Sequence, residues 1–223
     1  ALGVELTEEG VRFRERIRPV LSEIESIRDD LRKMRKISPI RLGALPSLAT
    51  HYLPSKLTEL KRQGIHVDMK VLSSTDEIVA QLQNGVLDAG IGQKSDTFPK
   101  SFRVDDLFSE PFYAIVPDTH RLHGRKSVAL ADLKEEALIL YPHPCDVRTI
   151  VADAYRKNGW NPVIAMEIPF GESIPGFVAA GAGISILPEI MAGHLPHASL
   201  KAIPIEPQGI TRTICLMTPH RAT

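Results

Sequence analysis

Residues 40–92, IRLGALPSLATHYLPSKLTELKRQGIHVDMKVLSSTDEIVAQLQNGVLDAGIG, decide the fold of this 223-residue chain. IRLGAL (40–45) predicts a strand, and a helix follows Pro46-Ser47 through LATHYLPSKLTELKRQ. HVDMKVL (66–72) predicts a second strand. TDEIVAQLQNG predicts a helix capped by Thr75 and closed by Gly85, and VLDAGIG (86–92) predicts a third strand. Strands that alternate with helices imply parallel pairing and right-handed crossovers.

The same order recurs about 96 positions downstream. ALILY (137–141) predicts a strand, and PHPCD leads into the helix VRTIVADAYRKNG. PVIAMEI (162–168) predicts the next strand. GES then opens the helix IPGFVAAGAG, and ISILP (184–188) ends the unit. Two similar α/β lobes follow from the repetition. LFSEPFYAIVPDTH (107–120) is an apolar strand suited to leave the first lobe and enter the second, and RTICLMTP (212–219) is suited to return. Residues 38–114 with 216–223 therefore form subdomain I, and 115–215 form subdomain II. A pair of crossing strands makes a hinge, and the cleft beside it is the natural ligand site.

Ligands in open α/β lobes sit at the carboxyl ends of strands, where helix N-termini present backbone N–H groups. Four such turns fall out of the pattern, at Pro46-Ser47 with Leu48, Ser74-Thr75, Cys145-Asp146 and Glu172-Ser173. Each is also an ordinary cap sequence. Four matched turns around one cleft give some of them a ligand role. Ser47 and Thr75 keep hydroxyls that both donate and accept. Asp146 and Glu172 place acids at the helix starts of the second lobe, with Arg148 and His143 nearby. The first lobe then suits a carboxylate and the second an amine or hydroxyl.

Upstream, Thr7 precedes Glu8 and Glu9, an N-cap with acids where the helix dipole favours them. Phe13, Ile17, Val20, Ile24, Ile27, Leu31 and Met34 then repeat at spacings of 4, 3, 4, 3, 4 and 3. That heptad seam fits a helix pairing with a second chain. Pro19 predicts a kink or break within it. Ser38-Pro39 predicts that the helix ends near Ile37, which makes residues 1–37 a dimerisation helix.

Composition narrows the function classes. Lys and Arg total 27 and Asp and Glu total 27, so the whole molecule carries no basic excess with which to attract nucleic acid or an anionic membrane. The two cysteines, Cys145 and Cys215, form no disulfide framework and suit a reducing compartment. No apolar run approaches the roughly 20 residues needed to span a bilayer. G-x-S-x-G, a Walker loop and a complete dinucleotide fingerprint are all missing. His120-x-x-His123 and His194-x-x-His197 lack further metal ligands. Cys145 sits at a helix start that lowers a thiol pKa, with Asp146 opposing. No catalytic constellation, metal or cofactor emerges.

The quoted segments resemble the LysR-type transcriptional regulators. VELTEEGVRF (4–13) is similar to the junction between the family's winged helix-turn-helix and its linker helix, and the heptad helix to that linker. IRLGALPSLATHYLPSKLTEL, NGVLDAGI, SEPFYAIVPDTHRL followed by VALADLKEEALILY, and VAAGAGISILPE resemble successive parts of its effector-binding domain. The resemblance implies two Rossmann-like subdomains of the periplasmic-binding-protein type and a cytoplasmic homodimer or homotetramer. It also implies a small effector held at Pro46-Ser47 and Thr75 and less directly around Cys145 and Glu172, for which the lobes' polar groups suggest a carboxylate-bearing or zwitterionic molecule. DNA would be bound only through a winged domain upstream of Ala1. A terminal helix would follow Pro219, where only HRAT remains. A transport solute-binding protein shares the lobe architecture, and the heptad helix counts against it.

Overall fold

In the computed structural model the residues described are 7–33, 38–207 and 209–220, the side chains of 28–33 excepted. Helix α1 (Glu8–Lys33) starts where the sequence places it, with Thr7 Oγ1 accepting from the Gly10 N–H at 3.1 Å. The chain stays helical through Pro19, where a break was one expectation. Proline there forfeits one N–H and exposes its ring to solvent, and intact turns on both sides carry the helix across. Phe13, Val20, Ile24 and Ile27 are 67%, 50%, 48% and 52% exposed, and Ile17 is half-buried, so the apolar seam is left open. Leu31, Met34 and the expected end near Ile37 lie outside the described side chains or residues.

The first lobe is built from strand β1 (Ile40–Ala44), helices α2 (Pro46–His51) and α3 (Leu53–Arg62), strand β2 (Val67–Val71), helix α4 (Thr75–Gln83) and strand β3 (Ala89–Gln93). β1 lies parallel to both β2 and β3, as the alternation requires. Two local expectations are corrected. The single helix after Ser47 is two helices meeting at Tyr52, because Pro54 has no N–H to bond back across that turn. Ser74, one residue ahead of Thr75, caps α4, its Oγ accepting from the Glu77 N–H at 3.2 Å. That exchange frees the Thr75 hydroxyl for a longer-range role. Gly85 closes α4 with φ 68°, a left-handed conformation that suits glycine.

Strand β4 (Phe102–Pro117) is the longest element of the sheet. Its first part, Phe102–Pro111, pairs antiparallel with β9 (Thr211–Pro219), and β9 pairs with β3. Its last part, Phe112–Pro117, pairs with β7 (Ser185–Pro188) and β8 (Leu200–Pro204). One strand thus belongs to both lobes, as its apolar run suggested.

The second lobe adds β5 (Ala137–Leu140), α5 (Asp146–Lys157) and β6 (Val163–Glu167), with β5 and β6 parallel. A 3-10 turn at Gly171–Ser173 precedes α6 (Ile174–Ala179), which is shorter than the sequence suggests. Beside β5, the chain entering β7 forms the Leu138–Ile184 bridge, and Ser185 Oγ of β7 donates to the Ile139 carbonyl at 2.8 Å. α7 (Glu189–Ala192) and β8 are elements that the sequence pattern did not mark.

Two hydrophobic cores result. Leu42, Leu48, Ile78, Leu82, Ile91, Ile214 and Met217 belong to one. Phe112, Ile115, Leu138, Ile139, Val151, Tyr155 and Ile186 belong to the other. In the first, α4 lies so close to β3 that a Cβ at Gly90 would sit 2.3 Å from Ile78 Cγ2. Gly90→Ala should therefore cost about 1–3 kcal/mol in urea unfolding. Ile78→Leu, which removes the offending branch, should recover part of that loss when combined with it.

Candidate ligand cleft between the lobes

The cleft is assembled by the loops that leave β1, β2, β5 and β6 and by Arg212 near the start of β9. Leu45, Pro46, Ser47, Ser73, Tyr141, Pro142, His143, Pro144, Cys145, Asp146, Val147, Pro169 and Arg212 enclose about 280 Å³. Four of the expected residues, Pro46, Ser47, Cys145 and Asp146, meet on this wall. The others do not line it. Leu48 is fully buried in the first core, and Ser74 is buried as the α4 cap. Glu172 and Ser173 sit in the 3-10 turn, where exposed Glu172 lies 3.4 Å from His51 Nε2 of the first lobe. His51 in turn stacks on His194, ring centroids 4.7 Å apart.

Thr75 and Asp146 come together directly. The Asp146 carboxylate crosses from the start of α5 to the start of α4. There it accepts from the Thr75 N–H at 3.0 Å and from Thr75 Oγ1 at 2.6 Å. Thr75 Oγ1 also accepts from the Gln93 N–H at 2.8 Å. The acid that was expected to occupy its own helix start instead occupies the other lobe's positive end. Burial raises the Asp146 pKa from its ordinary value, and the Thr75 hydrogen bonds offset only part of that rise.

The deepest polar group was not foreseen. Arg212 and Glu110 are cross-strand partners on β9 and β4, their side chains 0% and 3% exposed. Arg212 Nε and Nη2 each lie 2.7 Å from Glu110 Oε1. Arg212 Nη2 also donates to Ser47 Oγ at 3.3 Å, and Glu110 Oε2 accepts from the Ile190 N–H at 2.7 Å. The sequence held a partial signal, since Arg212 is the single charge of β9, but β4 carries Arg103, Asp105 and Asp106 besides Glu110. Only the antiparallel register sets the two opposite each other.

Arg148 is buried and lies 3.3 Å from Glu167 Oε1, while His143 is an exposed part of the wall. Burial pushes the Cys145 thiol up, outweighing the Val147 and Arg148 N–H groups that favour its thiolate. The helix start therefore does not activate it. No group of His, Cys, Asp and Glu side chains suited to a metal ion occurs among the described residues. A larger groove of about 760 Å³ lies on the first lobe against Tyr52, Leu57, Leu60 and Leu216. Its lining comes from the first lobe and from the crossing strands, Leu107 and Leu216 among them, with no residue from 117–210 of the second lobe.

Two α/β lobes on a shared pair of crossing strands, with a cleft at the strand ends, define a two-lobed ligand-binding domain of the periplasmic-binding-protein type. The chain belongs to the LysR substrate binding domain family, which matches residues 36–223. It is 29% identical over 182 residues to the transcriptional dual regulator GltC of Bacillus subtilis, covering 81% of this chain and 60% of that one. It is 28% identical over 194 residues to the transcriptional regulator TtuA of Agrobacterium vitis, covering 83% and 62%. The chain thus spans about three-fifths of the length of these relatives. The BenM effector binding domain with its effector benzoate superposes with a TM-score of 0.71 at 24% identity, covering 82% of this chain and 84% of that one. The relatives are transcriptional regulators. No helix among the described residues is long and apolar enough to cross a membrane.

The Asp146–Thr75 contact sets a pH dependence. Because the folded-state pKa is raised, the native state holds the proton longer than the unfolded chain does. The contribution of Asp146 to stability is therefore greatest at low pH and falls as pH rises through the ordinary value of 3.8 to the folded value. Asp146→Asn keeps an acceptor for Thr75 and removes that titration. Its stability relative to wild type should rise with pH across the window, as urea unfolding from pH 3.5 to 7 would record.

Proposed function

We propose that the chain is the effector-sensing and assembly portion of a LysR-type regulator and acts without catalysis. A small molecule enters the cleft between the lobes and biases their arrangement. The observation that carries this reading is the convergence of Pro46, Ser47, Cys145, Asp146 and Arg212 from both lobes and the hinge onto one cavity. The BenM domain, of the same fold, holds its effector benzoate, which supports an effector role for such a cleft. Ser74, Thr75, Glu172, Ser173 and Leu48 hold the surrounding walls in this reading, Thr75 through Asp146. The subdomains divide as 38–114 with 216–223 and 115–215. The change of core near Phe112 and between Ile210 and Ile214 supports a division at the crossing strands.

An effector shifts such an equilibrium only by its differential affinity, typically worth 1–3 kcal/mol. The effector carries a carboxylate, and the regulator engages DNA in the cytoplasm through a winged helix-turn-helix domain. The transport-protein reading has less support, since a solute-binding lobe pair has no use for an exposed heptad helix. A screen of metabolites for thermal stabilisation tests the proposal. A ligand at 100 times its Kd adds about 2.7 kcal/mol to stability. Ser47→Ala and Thr75→Ala should each reduce that gain, and gains left intact in both variants would sink the cleft assignment.

The open seam of α1 supports pairing with a second copy through Phe13, Ile17, Val20, Ile24, Ile27, Leu31 and Met34, giving a homodimer or homotetramer. Ile24→Asp with Ile27→Asp should halve the mass found by sedimentation. Both side chains are half exposed in the single chain, so its urea midpoint at low concentration should stay unchanged.

A further inference from the structure

Arg212 is the most deeply buried charge on the cleft wall, and its donors are not all used. A guanidinium carries five N–H groups. Nε and Nη2 serve Glu110 Oε1 and Ser47 Oγ, while Nη1 is buried with no hydrogen-bond partner. An unsatisfied donor on a buried cation is costly, and what it lacks is an acceptor. The carboxylate beside it does not supply one, because Glu110 Oε2 is turned to the Ile190 N–H. Asp146 is the sole carboxylate on the wall, and Thr75 already engages its oxygens. Around this polar spot the lining is apolar, with Leu45, Val147 and the rings of Pro46, Pro142, Pro144 and Pro169.

We propose that the cleft selects a small monocarboxylate with a compact apolar body, and that Arg212 is the residue that sets this preference. The proposal rests on the effector reading above. One carboxylate oxygen accepts from Arg212 Nη1 and the other from the Ser47 hydroxyl, while the body packs on the proline-rich wall. The Arg212 charge reaches the cavity, since it works against the upward effect of burial on Tyr141, Cys145 and Asp146. A second carboxylate would meet the Asp146 carboxylate, which favours a monoanion over a dicarboxylate.

The test titrates n-alkyl carboxylates from acetate to octanoate into the ¹⁵N-labelled 223-residue chain at constant ionic strength. The matching primary amides and alkylamines are titrated alongside. Carboxylate affinity should rise with each methylene until the body fills the cavity, with shifts at Leu45, Ser47, Tyr141, Cys145 and Val147. Amides and amines should bind about tenfold or more weakly. Arg212→Lys keeps the charge and loses Nη1, and should weaken carboxylates about tenfold or more. Should that variant fail to fold, Glu110→Gln with Arg212→Gln removes both buried charges together, so that neither is left unpaired, and its carboxylate-over-amide preference should vanish. Amides or amines that bind the cleft as tightly as carboxylates overturn the monoanion assignment and leave the cleft reading standing. So does an unchanged carboxylate affinity in the foldable Arg212 variant. Shifts confined to residues away from the cleft, or none with any probe, overturn the cleft reading itself.

Discussion

The Arg212–Glu110 pair is the constraint on which the two-lobed arrangement depends. It joins the two crossing strands at adjacent positions, and through Ser47 and the Ile190 N–H it also reaches α2 of the first lobe and α7 of the second. Removing both charges from water is expensive, and their attraction repays this only with good geometry and further hydrogen bonds. Glu110 meets that condition, with one oxygen on the guanidinium and the other on a backbone N–H. Arg212 meets it incompletely, which is why the site's unused hydrogen-bonding capacity collects on β9.

This clamp fixes the hinge and leaves the cleft's edges to weaker contacts. Asp146 with Thr75, and Glu172 with His51, are the polar bridges across the two lobes on either side of it. A buried clamp in the middle with partly exposed bridges at the rim suits the proposed shift of the lobes about the crossing strands. Small differences in ligand affinity between arrangements then suffice to shift the population. β1 opens at its carboxyl end into Leu45, Pro46 and Ser47, so the first wall of the cleft is close in sequence to α1.

Much of this architecture is legible in the sequence because it rests on period and punctuation. The strand–helix alternation of 40–92, its return at 137–188 and the apolar run of β4 follow from spacing alone. Pairing of Pro46-Ser47 with Cys145-Asp146 follows too, since both turns leave the carboxyl ends of strands. What could not be read depends on register. Asp146 looks like a cap for its own helix, and only the closeness of the lobes carries it to Thr75. Glu110 and Arg212 are unremarkable charges until β4 and β9 align them. The short β8 and α6 were lost or misjudged because four to six residues carry too little periodicity to measure. Pro54 did announce the break between α2 and α3, through a missing N–H that outweighs the helical pattern around it.

The neutrality of the chain bears on how the cleft discriminates. With 27 charges of each sign there is no net field to draw an anion in from a distance, and at physiological salt a field decays within about 8 Å. Selection therefore falls to charges that are local and dry. Arg212 is one, held where solvent does not screen it and where its counter-ion is committed on both oxygens. A buried, half-used guanidinium can discriminate by charge inside a neutral protein. An exposed lysine at the same place would be hydrated and screened, and would have to order a flexible stem before it could bind.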